Sequence, residues 1–378
     1  MAKEERNEMV VTPWEVRGKV DYERLIREFG TQPITEELLK RIAKYTGELH
    51  LQLRRNLFFS HRDLDVVLDL YDKGIKFVLY TGRGPSGPVH IGHLIPWIFT
   101  RHLQEKFDTK LYFQMTDDEK FLVDDELELE ETKNFAYENA LDLIALGFEP
   151  KNTHIIFDVK DIALLYDIAL KVAKRITYST ARATFGFQES TNIGWVFWPA
   201  IQAVPCFIHA KLTGENVPAL IPAAIDQDPY WRVTRDIATK LGYYKPAQIH
   251  CRFLPGLGVG GKMSASEPET SIFVIDPPEV VKRKIWNAFT GGRATVEEQR
   301  KLGGDPSICT VFQYYVFLFE EDDKKLSERE MRCRKGELLC GECKTDLAER
   351  VNKFLIEHRR KREKARGIVE KFYINVKR

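Results

Sequence analysis

The chain has 378 residues, a hydrophobic fraction of 43% and a formal net charge of +1. That length predicts two or three domains with ample core, and the near-balanced charge excludes a general nucleic-acid coat. No apolar run approaches the length needed to span a bilayer and the N-terminus is charged rather than leader-like, so a cytoplasmic protein without a membrane segment is expected.

Residues 1–60 read as an N-terminal extension. Residues 21–29 carry an amphipathic helical pattern, and a second helix starts near 35–40 with Thr31 or Thr35 as its cap. From Lys76 the pattern alternates. Strand-like runs fall at 76–80, 110–115, 153–158, 219–225 and 248–253, with helical periodicity between them, notably at 131–146 and 161–175. This alternation predicts an α/β domain over 61–276 built on a Rossmann-like, doubly wound parallel sheet. Ligands in such sheets bind at the carboxyl ends of the strands. After 271–275 the periodicity turns wholly helical, with helices expected at 280–289, 296–301, 310–319 and 344–372. Residues 277–378 are therefore expected to form an all-helical C-terminal domain.

Two strings carry the chemistry. Pro88-Val89-His90-Ile91-Gly92-His93 follows the first parallel strand, where a strand–turn–helix junction presents backbone N–H groups to phosphate. His90 and His93 share a helical face, and Gly92, lacking a Cβ, admits a flat ring or phosphate. A metal pair is the competing reading of the two histidines, but no carboxylate accompanies them at metal spacing. Far downstream Lys262-Met263-Ser264-Ala265-Ser266 ends a run containing Gly256, Gly258, Gly260 and Gly261. A surface loop is the bland reading of that string alone. Together the two imply ATP held from two sides, the second side free to close.

These strings resemble the two signatures of class I aminoacyl-tRNA synthetases. Four neighbours narrow the resemblance: Tyr80-Thr81-Gly82-Arg83-Gly84-Pro85-Ser86, Gln114-Met115-Thr116-Asp117-Asp118-Glu119-Lys120, Pro199-Ala200-Ile201-Gln202 and Ala224-Ile225-Asp226-Gln227-Asp228-Pro229-Tyr230. All are similar to tryptophanyl-tRNA synthetases of the archaeal and eukaryotic type, from Val11-Thr12-Pro13-Trp14 to the last helix. Ala265 stands where many class I enzymes have a second lysine, and the Ser86-Gly87-Pro88-Val89 loop is shorter than in eukaryotic relatives.

The resemblance implies ATP- and Mg²⁺-dependent formation of tryptophanyl-adenylate, then transfer of the aminoacyl group to tRNA(Trp). His90, His93, Lys262, Met263 and Ser264 are implied in catalysis. Arg83, Gly84, Pro85, Ser86, His90, Gly92, His93, Lys262, Ser264 and Ser266 are implied in ATP binding. It assigns Tyr80 and Gln114 to the indole nitrogen, and Glu119, Gln202 and Gln227 to the α-ammonium. Each assignment fits the side chain: Glu119 opposes an ammonium, and a glutamine both donates and accepts. Core packing is the alternative for Tyr80, and helix capping for Asp117 and Asp118. A homodimer is also implied, and the apolar segment Ile193-Gly194-Trp195-Val196-Phe197-Trp198 is expected to make an exposed patch of the kind that marks an interface. In the tail, Cys309, Cys333, Cys340 and Cys343 are spaced for a zinc or iron–sulfur cluster, for a disulfide, or simply for burial. The basic run from His358 to Arg366 reads either as a solvated helix face or as a contact to RNA phosphates. Rival functions are a tyrosyl enzyme, a small nucleotidyltransferase and a silent RNA-binding paralogue; the Gln114 string, the helical tail and the intact signature residues oppose them in turn.

Overall fold

The computed structural model describes residues 9–11, 16–17 and 20–374. Thr12, Pro13 and Trp14 of the first string lie outside them. Seven strands form one sheet: β1 (Gln32–Pro33), β2 (Phe58–Arg62), β3 (Val78–Arg83), β4 (Leu111–Met115), β5 (Thr153–Phe157), β6 (Ala219–Ala224) and β7 (Ala247–Cys251). Their spatial order is β1-β2-β7-β6-β3-β4-β5. The five strands β3 to β7 are parallel to their neighbours within that set, matching the five runs read from the sequence.

The sheet is mixed, however, not wholly parallel. β2 pairs antiparallel with β7, and β1 with β2, so two strands from the N-terminal extension close one edge. Phe58-Phe59-Ser60-His61-Arg62 is half polar, yet its first four residues are buried. Its interior Ser60 hydroxyl is satisfied across the sheet by His250 Nδ1 at 3.0 Å. Such pairing is a tertiary decision that strand propensity does not announce.

Asp21 and Thr35 cap the first two helices, accepting from the N–H groups of Arg24 and Leu38. The helix after β3, Ile91–Phe107, packs its long apolar face under the sheet. Chain order reverses between β3 and β6, and the ends of these strands with the start of that helix make a crevice.

Downstream of residue 277 the named elements are helical, apart from one isolated bridge that returns Tyr373 to Ile155 on β5. The helix expected over 310–319 is α-helical at Thr310–Tyr314 and widens to a π turn at Tyr315–Phe319. The last long helix, Cys340–Ala365, lies against Leu129–Ala145 and Pro278–Trp286. Its basic run is largely spent on that packing. His358 meets buried Asp142 at 3.1 Å and Arg362 meets the same carboxylate at 2.9 Å. Arg362 and Arg366 also pair with Glu138, and Arg359 donates to the Asp276 carbonyl at 2.7 Å. Arg360, Lys361 and Lys364 stay exposed. No helix of the described residues is long and apolar enough to cross a membrane.

Candidate active site

At the carboxyl ends of β3, β4, β6 and β7 the crevice opens into a cavity of about 430 Å³. The two strings, 172 residues apart between His90 and Lys262, line the same space. Of the expected residues, Tyr80, Arg83, Gly84, Ser86, His90, Gly92, His93, Gln114, Glu119, Gln202, Gln227, Lys262, Met263 and Ser264 line it. Pro85 and Ser266 do not. Pro85 is buried beside the wall, and Ser266 lies outside it, its hydroxyl 2.8 Å from that of Ser264.

His90 N-caps the helix Ile91–Phe107, and its backbone N–H donates to His93 Nδ1 at 3.2 Å. The two rings stack with centroids 3.5 Å apart. Burial, reinforced by the Arg83 charge, lowers His90 to about 3 and His93 well below its ordinary value. Both are therefore neutral at physiological pH. They can offer single N–H donors to an anion, while the positive charge of the cavity comes from Arg83, Lys120, Arg252 and Lys262. Burial lowers Arg83 only to about 10, and its Nε and Nη2 lack protein partners. A buried guanidinium with free donors is prepared for an anion.

The glycine-rich segment turns through Gly260 and Gly261, both at φ +75°, and folds back so that Pro255 and Lys262 bridge. Met263 is buried, its N–H bound to the Leu254 carbonyl at 2.9 Å. A Cβ on Gly92 would stand 3.0 Å from His90 Nδ1 and 3.5 Å from the Met263 Cβ, so the smallest residue lets the two strings approach. Lys262 Nζ reaches Asp226 Oδ2 at 2.8 Å, leaving the other Asp226 oxygen unpartnered. The segment rests against the cavity, and Ser271 Oγ anchors it by donating to the Ser264 carbonyl at 2.6 Å.

A polar circuit lines the far wall. The Tyr80 hydroxyl lies 2.6 Å from Gln114 Oε1 and 3.0 Å from the Gln202 carbonyl. Gln114 Nε2 donates to both oxygens of Asp158, at 2.8 and 2.9 Å. Glu119 Oε2 accepts from the Thr116 hydroxyl at 2.5 Å, and its Oε1 faces Lys120 at 3.2 Å. Neither Asp117 nor Asp118 is a simple helix cap. Asp117 accepts from the Val159 N–H at 3.0 Å, while Asp118 Oδ1 accepts from Trp198 Nε1 and the Glu119 N–H. Burial raises Asp118 to about 7 and Asp158 well above the carboxylate range, each further raised by negative charge nearby.

Asp226 and Asp158 were absent from the expected site. Both follow an apolar strand at the end where ligands bind, and Asp226 also lies inside one of the four strings quoted above, though neither was given a role.

Two expectations are corrected. Trp195 and Trp198 are buried, stacked on each other with centroids 5.1 Å apart, and are not an exposed patch. The four tail cysteines are free thiols, and among the described residues no three His, Cys, Asp or Glu side chains are grouped to hold a metal. Burial raises Cys309, Cys333 and Cys343, and Arg329 donates to the Cys343 sulfur at 3.7 Å.

A strand-ended cavity joining these two strings is the architecture of a nucleotide-activating enzyme. Residues 73–356 match the model of the tRNA synthetases class I (W and Y), and the chain belongs to that family. It is 53% identical over 370 residues to a tryptophan–tRNA ligase of Pyrobaculum aerophilum, covering 98% of each chain. It is 56% identical to that of Thermococcus onnurineus over 97% of this chain and 94% of the relative. Among solved structures, Plasmodium falciparum tryptophanyl-tRNA synthetase superposes with a TM-score of 0.88 at 39% identity, covering 94% of this chain and 98% of that one.

Proposed function

We propose that this chain is an ATP-dependent ligase that charges tRNA(Trp) with L-tryptophan through tryptophanyl-adenylate. The observation that carries the reading is the single cavity in which the two strings meet the Tyr80–Gln114 pair. The tryptophan carboxylate attacks the α-phosphorus of ATP and pyrophosphate leaves. A hydroxyl of the terminal ribose of tRNA then attacks the adenylate carbonyl and AMP leaves. No protein nucleophile is needed; alignment and electrostatic stabilisation supply the rate. His90 and His93 donate N–H groups to phosphate oxygens. Arg83 and Lys262 oppose the phosphate charge. Mg²⁺ travels on the phosphates of ATP and requires no protein cage. Glu119, Gln202 and Gln227 hold the α-ammonium, while Tyr80 and Gln114 meet the indole N–H.

Residues 61–276 are assigned to catalysis, 1–60 to an extension that completes the sheet edge, and 277–378 to anticodon reading. A role in translation is what supports a cytoplasmic location. A homodimer is inferred from a stripe on the helix Asp158–Ala173: Ile162, Tyr166 and Leu170 are exposed at helical spacing, with Tyr166 6.4 Å from the Phe197 ring.

Amino-acid-dependent exchange of pyrophosphate into ATP tests the assignment across the twenty amino acids. Tryptophan should support it, and tyrosine about a hundredfold less well or worse, the scale that a polar pocket permits. Equal exchange with tyrosine would end the assignment.

A further inference from the structure

Gln114 is pinned from behind. An amide has an acceptor end and a donor end of almost the same shape, so which end faces the cavity depends on its neighbours. Here Nε2 spans both oxygens of Asp158, and Oε1 is left toward Tyr80 and the open space. Asp158 is fully buried, and Gln114 is equally so. Tyr80 has a second acceptor for its proton in the Gln202 carbonyl at 3.0 Å. Gln114 Oε1 can therefore be released to an incoming N–H without orphaning the phenol.

Were the amide reversed, its N–H groups would point at the ligand's own N–H. Two donors would then face each other in a dry wall, and Gln114 Oε1 would face carboxylate oxygens. The second acid of the pair supports the arrangement. Asp118 hydrogen-bonds to Asp158 and is itself held by Trp198 Nε1 at 3.1 Å and the Glu119 N–H at 2.7 Å. A proton shared between the two acids leaves Asp158 with acceptor capacity toward Gln114.

We propose that Asp158 is a positioning residue for side-chain selection: it orients Gln114 so that the pocket presents an acceptor to the indole N–H of tryptophan. The proposal rests on reading the cavity as the tryptophan site and adds a residue that does not touch the substrate.

The test compares tryptophan with its benzothiophene analogue, in which sulfur replaces the N–H, in pyrophosphate exchange. The ratio of kcat/KM values is read within each protein, so it is insensitive to the fraction folded, and KM for ATP is measured alongside. The unchanged enzyme should prefer tryptophan by about tenfold, the scale of one buried hydrogen bond. Asp158→Leu, similar in shape but unable to accept, should bring the ratio close to one, as should Gln114→Leu. Asp158→Asn should keep the preference, because its amide can donate to Asp118 and still accept from Gln114. KM for ATP should change by less than about threefold in both Asp158 variants, since they act on the amino-acid end.

A preference that survives Asp158→Leu but not Gln114→Leu overturns the role of Asp158 and leaves the pocket assignment standing. Loss of preference in Asp158→Asn also overturns it. If the unchanged enzyme shows no preference, or Gln114→Leu retains it, the assignment of Gln114 to the indole nitrogen falls, and the proposal with it.

Discussion

Lys262 and Asp226 sit 2.8 Å apart, with the lysine a quarter exposed and the acid buried. In this resting arrangement the ammonium is stored on a carboxylate at the cavity wall. During adenylate formation negative charge moves onto the departing pyrophosphate, and a lysine on a closing segment can follow it. An interaction that strengthens only in the transition state appears in kcat rather than in KM. Lys262→Ala should therefore lower kcat by about a hundredfold, the usual scale for one stabilising donor, while KM for ATP changes less than about threefold. Pyrophosphate exchange at varied ATP separates the two, and a loss expressed wholly in KM would make Lys262 a ground-state contact. The sequence disclosed Lys262, because its string is local, but concealed its partner. Asp226 lies 36 residues away and Asp158 lies 44 from Gln114. Contacts made by parallel strands across such distances leave no local pattern.

Element by element, legibility followed locality in the same way. The five parallel strands are mostly apolar, mostly buried runs that alternate with helical segments and announced themselves, although β7 carries Gln248 and His250. β1 and β2 are short or half polar and exist because β7 offers an edge. The apolar segment around Trp198 gave away its hydrophobicity but not its direction, since a short apolar run does not say which face is inward. What faces outward is the next helix over. On Asp158–Ala173 the exposures of Ile162, Tyr166 and Leu170 run from 37% to 50%, and nearby Ile193 reaches 87%. Aromatic anchors inside an apolar stripe carry much of the energy in subunit contacts. Tyr166→Glu buries a charge in any such contact, so light scattering at micromolar protein should read twice the chain mass for the unchanged enzyme and a single chain mass for the variant. A monomeric unchanged enzyme, or a variant that stays dimeric, would remove the stripe from the interface.

Among the described residues the histidines are buried or half-buried, and the consequence is a direction of pH sensitivity. Eight of the nine histidines are lowered, in each case first by burial: His50, His61, His90, His93, His102, His154, His209 and His250. His50, His154 and His250 fall to about 4, and His90 to about 3. In the unfolded chain these rings protonate near pH ~6.5. Below that point the unfolded chain takes up protons that the folded chain refuses, so stability falls as pH drops from about 6.5 toward about 4. Asp117, Asp118, Asp158 and Asp161 act in the opposite sense. Their raised values mean that their contribution is whole below about pH 4 and is lost as pH rises, through about 7 for Asp118. Four acids oppose eight histidines, and the histidines stand in neighbouring pairs such as His90–His93 and His50–His102, where a charge on one ring opposes a charge on the other. The net expectation is a melting temperature that is highest near neutrality and already falling by pH 6 to 5, above the range in which surface carboxylates titrate. Calorimetry at closely spaced pH values checks it. A melting temperature that is flat from pH 7 to 5 and breaks only near 4 would show that ordinary carboxylate pairs, not the buried imidazoles, govern the acid limb.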